Sequence, residues 1–239
     1  MSFLRHIAFV GLSWACIQGA TAQENTSVPV TDGQVWMSLG VGYKPFAKKK
    51  GNVVEGGFRR NFKLNGEVEW RTREWASETK QVNFTFAPEY KVTDFLKVAV
   101  QYRYALKDRY TDNVHRIGLQ ASLSWGTGRL KLDSRTRYEH EFKPVNKIRD
   151  TFRERLGVEY NIPHWKLDPH VSAEMFYALH YTENRLGGMR YELGTDLALD
   201  KKKKRTLGLA VRYDQEVNTV APGNAWILIF AFEGSFKKK

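Results

Sequence analysis

The sequence predicts an all-β chain: a single antiparallel transmembrane β-barrel of about twelve strands, preceded by a cleaved signal peptide. Three observations predict it. The first is an alternation at period two in which one face is apolar without a break while the other carries full charges in mid-strand. In residues 95–106, Leu96, Val98, Val100, Tyr102 and Tyr104 alternate with Lys97, Ala99, Gln101 and Arg103. In residues 114–125, Ile117, Leu119, Ala121, Leu123 and Trp125 alternate with Arg116, Gly118, Gln120, Ser122 and Ser124. In residues 129–140, Leu130, Leu132, Ser134, Thr136 and Tyr138 alternate with Lys131, Asp133, Arg135, Arg137 and Glu139. Strands with lipid on one side and water or a polar plug on the other require this pattern, and a soluble sandwich rarely sets charges such as Arg135 and Arg137 behind a buried face.

The second observation is an alternation of link lengths. Links at 63–66, 91–94, 126–128, 163–165 and 200–204 are short, while those at 45–52, 76–80, 107–113, 141–149, 182–188 and 215–224 are longer. Short periplasmic turns opposite longer outer loops are the expected asymmetry, and an even strand count places both chain ends in the periplasm. The third observation is aromatic. Tyr43, Tyr104, Tyr138, Tyr213 and Trp226 fall at outer strand ends, and Tyr90, Trp125, Tyr160 and Phe236 at inner ends, as two interfacial girdles would.

Taken in order, residues 1–22 read as a signal peptide. Arg5 and His6 precede an apolar run from Ile7 to Ile17, and Ala20-Thr21-Ala22 supplies a small-x-small cleavage site. The one cysteine, Cys16, lies within it, and Ser13 stands where a lipoprotein site wants a leucine-like residue. The mature chain therefore has neither a disulfide framework nor a thiolate metal site. Residues 23–33 form a polar periplasmic leader, residues 34–236 the barrel as one domain, and residues 237–239 a basic periplasmic tail. The strands are expected at 34–44, 53–62, 67–75, 81–90, 95–106, 114–125, 129–140, 150–162, 166–181, 189–199, 205–214 and 225–236. Each suits a tilted crossing of roughly 9–11 residues.

The hydrophobic share of 42% and the formal charge of +12 would pass for a soluble basic protein. No apolar run approaches the roughly 20 residues of a membrane helix, so a helical membrane protein is excluded. The excess positive charge sits in Lys48–Lys50 of an outer loop, facing lipopolysaccharide phosphates, and in Lys201–Arg205 and Lys237–Lys239 on the inner side. An exported barrel meets no nucleic acid. Its partners are outer-membrane lipid and lipopolysaccharide, and the barrel-assembly machinery during insertion. On the lipid-facing register, Glu74 and Glu154 break the apolar rule and are placed close to the outer rim, where a charge costs little.

The inward register carries Arg59, Arg71, Arg73, Arg103, Arg116, Arg135, Arg137, Arg153, Arg155, Arg190 and Arg212. Facing them are Glu55, Glu67, Glu69, Glu159, Glu174 and Glu192, with further inward charges at Lys97, Lys131, Glu89, Asp133, Glu139, Asp196 and Asp214. Two readings follow. An arginine track can bind an anionic solute by bidentate contacts, and arginine suits planar pairing better than lysine. Alternatively, the near balance of signs makes a self-neutralised polar interior. Catalysis has thin support. His170 and Ser172 have the spacing of a lipid hydrolase's base and nucleophile, but parity turns both into the lumen, towards the periplasmic end. His115, His140 and His164 are scattered, and no metal-ligand spacing or cofactor motif occurs.

With the strands placed, the chain resembles the outer-membrane barrel family known as domain of unknown function 2490. The residues that carry the resemblance are QVWMSLGVGYK at 34–44, GEVEWRTREW at 66–75, VHRIGLQASLSW at 114–125 and RLKLDSRTRYEHE at 129–141. DPHVSAEMFY at 168–177 and MRYELGTDLALDKKKK at 189–204 add to it. The resemblance implies a porin-like barrel and supplies no substrate, cofactor or catalytic residue. Oligogalacturonate-type porins are similar in size, strand number and arginine-rich lumen, an analogy of architecture alone. The expectation is a Gram-negative outer-membrane channel for small, anionic solutes. A closed structural or partner-binding barrel is the alternative, and a lipid-active hydrolase is the third.

Overall fold

Among the described residues, the charged-in, apolar-out alternation is realised in eleven strands that close on themselves. They are β1 (Val30–Lys44), β2 (Phe62–Arg73), β3 (Glu78–Lys91), β4 (Leu96–Lys107), β5 (Val114–Thr127) and β6 (Leu130–Phe142), followed by β7 (Arg149–Tyr160), β8 (Leu167–Leu179), β9 (Arg185–Ala198), β10 (Arg205–Glu216) and β11 (Gly223–Lys237). The computed structural model describes residues 29–46, 61–107, 111–142, 149–163, 165–179, 184–200, 204–218 and 222–237. Each strand pairs antiparallel with its sequence neighbours, and β1 closes the barrel against β11.

The closing seam is parallel, running from Val30 opposite Gly223 to Lys44 opposite Lys237. An odd number of strands requires this, because sequence neighbours reverse direction at every link. Twelve strands were expected. The expected strand at 53–62 lies almost wholly outside the described residues, and both edges of β1 are already taken, by β2 and β11. The wall therefore has no place for it between β1 and β2. The segment expected as the third strand begins earlier, at Phe62, so the turn expected at residues 63–66 is inside β2 with Lys63 opposite Glu89. Asn65-Gly66, a dipeptide typical of turns, is carried there within a paired strand.

The odd count moves other features too. The start of β1 shares one rim, here the entry rim, with the links β2–β3, β4–β5, β6–β7, β8–β9 and β10–β11. The opposite exit rim carries the remaining links and the end of β11. The expected placement of both chain ends on one side is thus corrected: the wall's first and last residues lie at opposite rims. The link after Lys44 leaves from the exit rim, with the short turns instead of the long ones. Tyr43 belongs to the same rim as Tyr90, Trp125, Tyr160 and Phe236, opposite Phe236 across the seam. The other girdle residues keep their expected ends, with Tyr213 and Trp226 stacked 4.8 Å apart near the entry rim.

Two turns show how the rims are made. Gly128 opens the two-residue β5–β6 turn at φ 60°, a conformation glycine adopts without the Cβ clash. In the β2–β3 turn, Glu74, Trp75 and Ala76 take φ 52°, 56° and 68° in succession, which is costly for residues with side chains. Contacts to β1 hold them. The Trp75 amide donates to Asp32 Oδ1 at 3.2 Å and the Ala76 amide to the Gly33 carbonyl at 3.2 Å. The Trp75 ring lies where a Cβ on residue 33 would come within 2.4 Å of it, so glycine is needed there.

Every strand turns large apolar side chains outward; Leu119 is 59% exposed, Val171 52% and Leu193 66%. One polar group interrupts that belt. Glu154 is not near a rim but halfway along β7, five residues from Arg149 and six from Tyr160, opposite Thr136 and Met175. Its carboxylate accepts hydrogen bonds from Ser134 Oγ at 2.8 Å and Thr136 Oγ1 at 2.5 Å.

Candidate functional site

Register builds the lumen. Arg135, Arg155, Glu174, Arg190 and Asp214 are successive cross-strand partners from β6 to β10, all facing inward. The next inward row towards the entry rim sets Gln120, Arg137, Arg153 and Phe176 side by side. Towards the exit rim, Asp133, Gly157, Ser172, Glu192 and Arg212 form another. Two of these rows place arginines directly opposite one another, an arrangement that destabilises a strand pair unless an anion intervenes.

Carboxylates intervene: Glu139 binds both members of the Arg137–Arg153 pair, while in the Arg135–Arg155 pair Glu174 binds Arg135 and Asp133 binds Arg155. Glu174 contacts Arg135 at 2.9 Å, Arg153 at 2.9 Å and Arg190 at 3.4 Å. Glu139 contacts Arg116 at 3.2 Å and both Arg137 and Arg153 at 3.1 Å. Arg190 continues to Asp214 at 2.6 Å. The result is a continuous lattice, Arg116–Glu139–Arg153–Glu174–Arg190–Asp214, running along the inner wall from β5 to β10. Arg116 also pairs with Glu141, Arg212 with Glu192, and Arg155 with Asp133 at 2.7 Å.

Aromatic rings extend the network to β1 and β2. Trp36 of β1 lies under the guanidinium of Arg71 at 3.7 Å, with Arg212 at 4.9 Å and Arg190 at 5.5 Å. Its indole N–H donates to Gln34 Oε1 at 3.0 Å. Phe176 packs against Arg153 at 4.6 Å and Arg190 at 4.8 Å. From Arg71 the network passes to Glu69, 2.7 Å from Nε, and to Asn83, whose amide donates to Glu69 at 2.8 Å. The middle of the barrel is consequently packed: Trp36 and Glu139 are 4% exposed, Glu174 3%, Arg137 and Arg153 7%. Desolvated charges on this scale are tolerated only when paired and hydrogen-bonded. Two donors of the lattice are left over: the buried Nε groups of Arg135 and Arg155, cross-strand partners, have no acceptor among the described residues.

Of the residues expected to line the lumen, Arg71, Arg103, Arg116, Arg135, Arg137, Arg153, Arg155, Arg190, Arg212, Glu69, Glu174 and Glu192 come together around this network. Arg103 reaches Thr85 at 3.2 Å. Glu67 faces inward but stands apart from the lattice, and Glu159 pairs with Lys131 towards the exit rim. Arg73 lies past the register shift between Arg71 and Thr72 and meets its cross-strand partner Glu78 at 2.9 Å at the entry rim, outside the lattice. Glu55 and Arg59 lie outside the described residues. The same parity places Trp36, Phe176, Gln101 and Gln120 inward, uncharged residues that a charge pattern does not single out. His170 and Ser172 face the lumen, with His170 Nε2 3.5 Å from Glu192 and Nδ1 3.9 Å from Asp196.

No curated protein and no solved structure matches the chain. One family model does, over residues 33–221, a span from the start of β1 to the β10–β11 link that takes in almost the whole wall and its arginine lattice. The chain belongs to the family described as Protein of unknown function (DUF2490).

Proposed function

We propose that this protein is a porin-like barrel of a Gram-negative outer membrane: a narrow passage for small, anionic solutes, with the arginine–carboxylate lattice as its constriction. The observation that carries the reading is the two-faced wall. Large apolar side chains are exposed on the outside of every strand while full charges line the inside in mid-strand, the partition a membrane barrel demands. The signal-peptide pattern of residues 1–22 supports export, and the wall would meet lipid and lipopolysaccharide, with the assembly machinery needed only for insertion. The unpartnered Nε donors of Arg135 and Arg155 support the anionic preference, since guanidinium groups bind carboxylate and phosphate in fixed geometry.

One observation favours a second reading, a closed barrel with a structural or partner-binding role: the middle of the lumen is filled by Trp36, Arg137, Arg153, Glu139 and Glu174. Single-channel recording of the refolded mature protein in planar bilayers, with reversal potentials in a salt gradient, separates the two. Discrete anion-selective steps support the passage. A folded, heat-modifiable barrel with no current above background assigns it to the closed class. Neither reading involves a catalytic step; a lipid hydrolase would need His170 and Ser172, and lipase activity surviving His170→Ala would remove that role.

A further inference from the structure

A cavity of about 140 Å³ adjoins the lattice, in the half of the lumen nearer the exit rim. Inward residues of five consecutive strands wall it: Asn65 and Glu67 from β2, Thr85 from β3, Gln101 from β4, Gln120 from β5 and Arg137 from β6. The space exists because small residues, Gly66, Ala87 and Ala99, also line it.

The polar groups around this space are not equally satisfied. Thr85 Oγ1 accepts from Arg103 at 3.2 Å. Gln120 donates to Ser122 at 3.0 Å and accepts from Arg137 Nε at 3.0 Å. The Asn65 side-chain amide, a donor as well as an acceptor, forms no hydrogen bond among the described residues, and two further acceptors are open. Gln101 is only 8% exposed, yet its Oε1 has no hydrogen-bond partner among the described residues. The Glu67 carboxylate forms no ion pair or hydrogen bond among the described residues. A buried acceptor without a donor, as Gln101 Oε1 is, is rare in native proteins and calls for a partner, and the half-buried Glu67 carboxylate beside it adds negative charge. Across the cavity, Arg137 uses Nε and one N–H each of Nη1 and Nη2 on Gln120 and Glu139, which leaves a guanidinium two further donors.

From this polarity, acceptors on one wall and donors on another, we infer that the cavity binds a compact zwitterion. The fitting class is an α-amino acid with a small side chain, its ammonium towards Glu67 and Gln101 and its carboxylate towards Arg137. The space would hold about ten waters or a solute of about five to ten non-hydrogen atoms. The inference deepens the reading of the lumen as a solute passage and rests on it for its biological purpose, but its test does not require conduction.

Titration calorimetry of the refolded barrel in micelles, with glycine as the probe and methylammonium, acetate and glycerol as comparisons, tests it. Glycine should saturate one site per barrel and bind at least tenfold more tightly than any of the three. Glu67→Gln and Gln101→Leu should each weaken glycine at least tenfold. Ala99→Leu, which fills the cavity from another strand without removing a polar group, should abolish binding and keeps the test open if a polar variant fails to fold. Absence of glycine binding, equal binding of glycerol or acetate, or binding that survives Glu67→Gln or Ala99→Leu overturns the site. A barrel that is silent in bilayers but binds glycine keeps the site and discards the passage. A conducting barrel that ignores glycine does the reverse.

Discussion

Arg153 grips Glu174 along one edge of its guanidinium, with Nε 3.2 Å from Oε1 and Nη2 3.0 Å from Oε2, while Nη1 reaches Glu139 at 3.1 Å. This one side chain therefore joins the two carboxylates at the centre of the lattice, and among the described residues no other side chain bridges them directly.

Replacing Glu174 by glutamine should leave Arg135, Arg153 and Arg190 facing one another without their shared anion. Breaking a buried pair from one side costs about 3–5 kcal/mol, whereas Arg73→Gln at the entry rim should cost about 1 kcal/mol or less. Guanidinium unfolding of both variants in vesicles gives the comparison. Equal effects would mean that water, not Glu174, neutralises those arginines.

Trp36 carries a different load, since three guanidinium groups lie over or beside its ring. Trp36→Ala should destabilise the barrel by about 3–5 kcal/mol and also open the middle of the lumen. In planar bilayers the variant should show larger current steps than the parent. Lost stability with unchanged conductance would place the narrowest point elsewhere.

Glu154 interrupts the outer belt in mid-wall. If that belt meets hydrocarbon, Glu154→Leu should stabilise the protein in bilayers by up to about 2 kcal/mol, because a mid-depth carboxyl on a lipid face is unfavourable. In micelles the gain should shrink, as water reaches the site. Destabilisation of similar size in both media would show that its bonds to Ser134 and Thr136 hold β6 to β7.

The parallel seam makes a directional forecast. Ser38 stands opposite Ala231 and Gln34 opposite Ile227, so cysteine pairs at 38/231 and at 34/227 should both oxidise to disulfides. An antiparallel seam through the first pair would instead bring 34 to 235. Gel shifts under mild oxidant read the outcome, and cross-linking of 34/235 in place of 34/227 would refute the eleven-strand closure.

Much of this was legible in the residues. Alternation from Leu96 to Tyr104 and from Leu130 to Tyr138 assigns each side chain a face with no knowledge of partners, so the inward arginines could be named singly. Strand number was not legible, because closure is a global property: nothing local to residues 53–62 says whether β1 will find β2 or another strand at its edge. The turn expected at residues 63–66 is absent for the same reason, since pairing on both sides of β2 overrides the turn preference of Asn65-Gly66. Depth was misjudged at Glu154 because it depends on where the neighbouring strands begin and end. Trp36 and Phe176 show the remaining gap. Parity places them inside, but only three-dimensional packing reveals that their rings fill the space between arginines.

The seam also limits how this chain could be rewired. In an even-stranded barrel the wall's two ends meet at one rim, and a short turn can join them to make a circular permutant. Here a linker from Lys237 back to Val30 must travel the height of the wall beside a strand of 15 residues, about 50 Å at ~3.3 Å per residue. The packed lattice denies it the lumen, so it would have to cross the apolar outer face, where an unpaired backbone is least welcome. New chain ends are far better introduced by cutting an existing link and leaving the original pair unjoined.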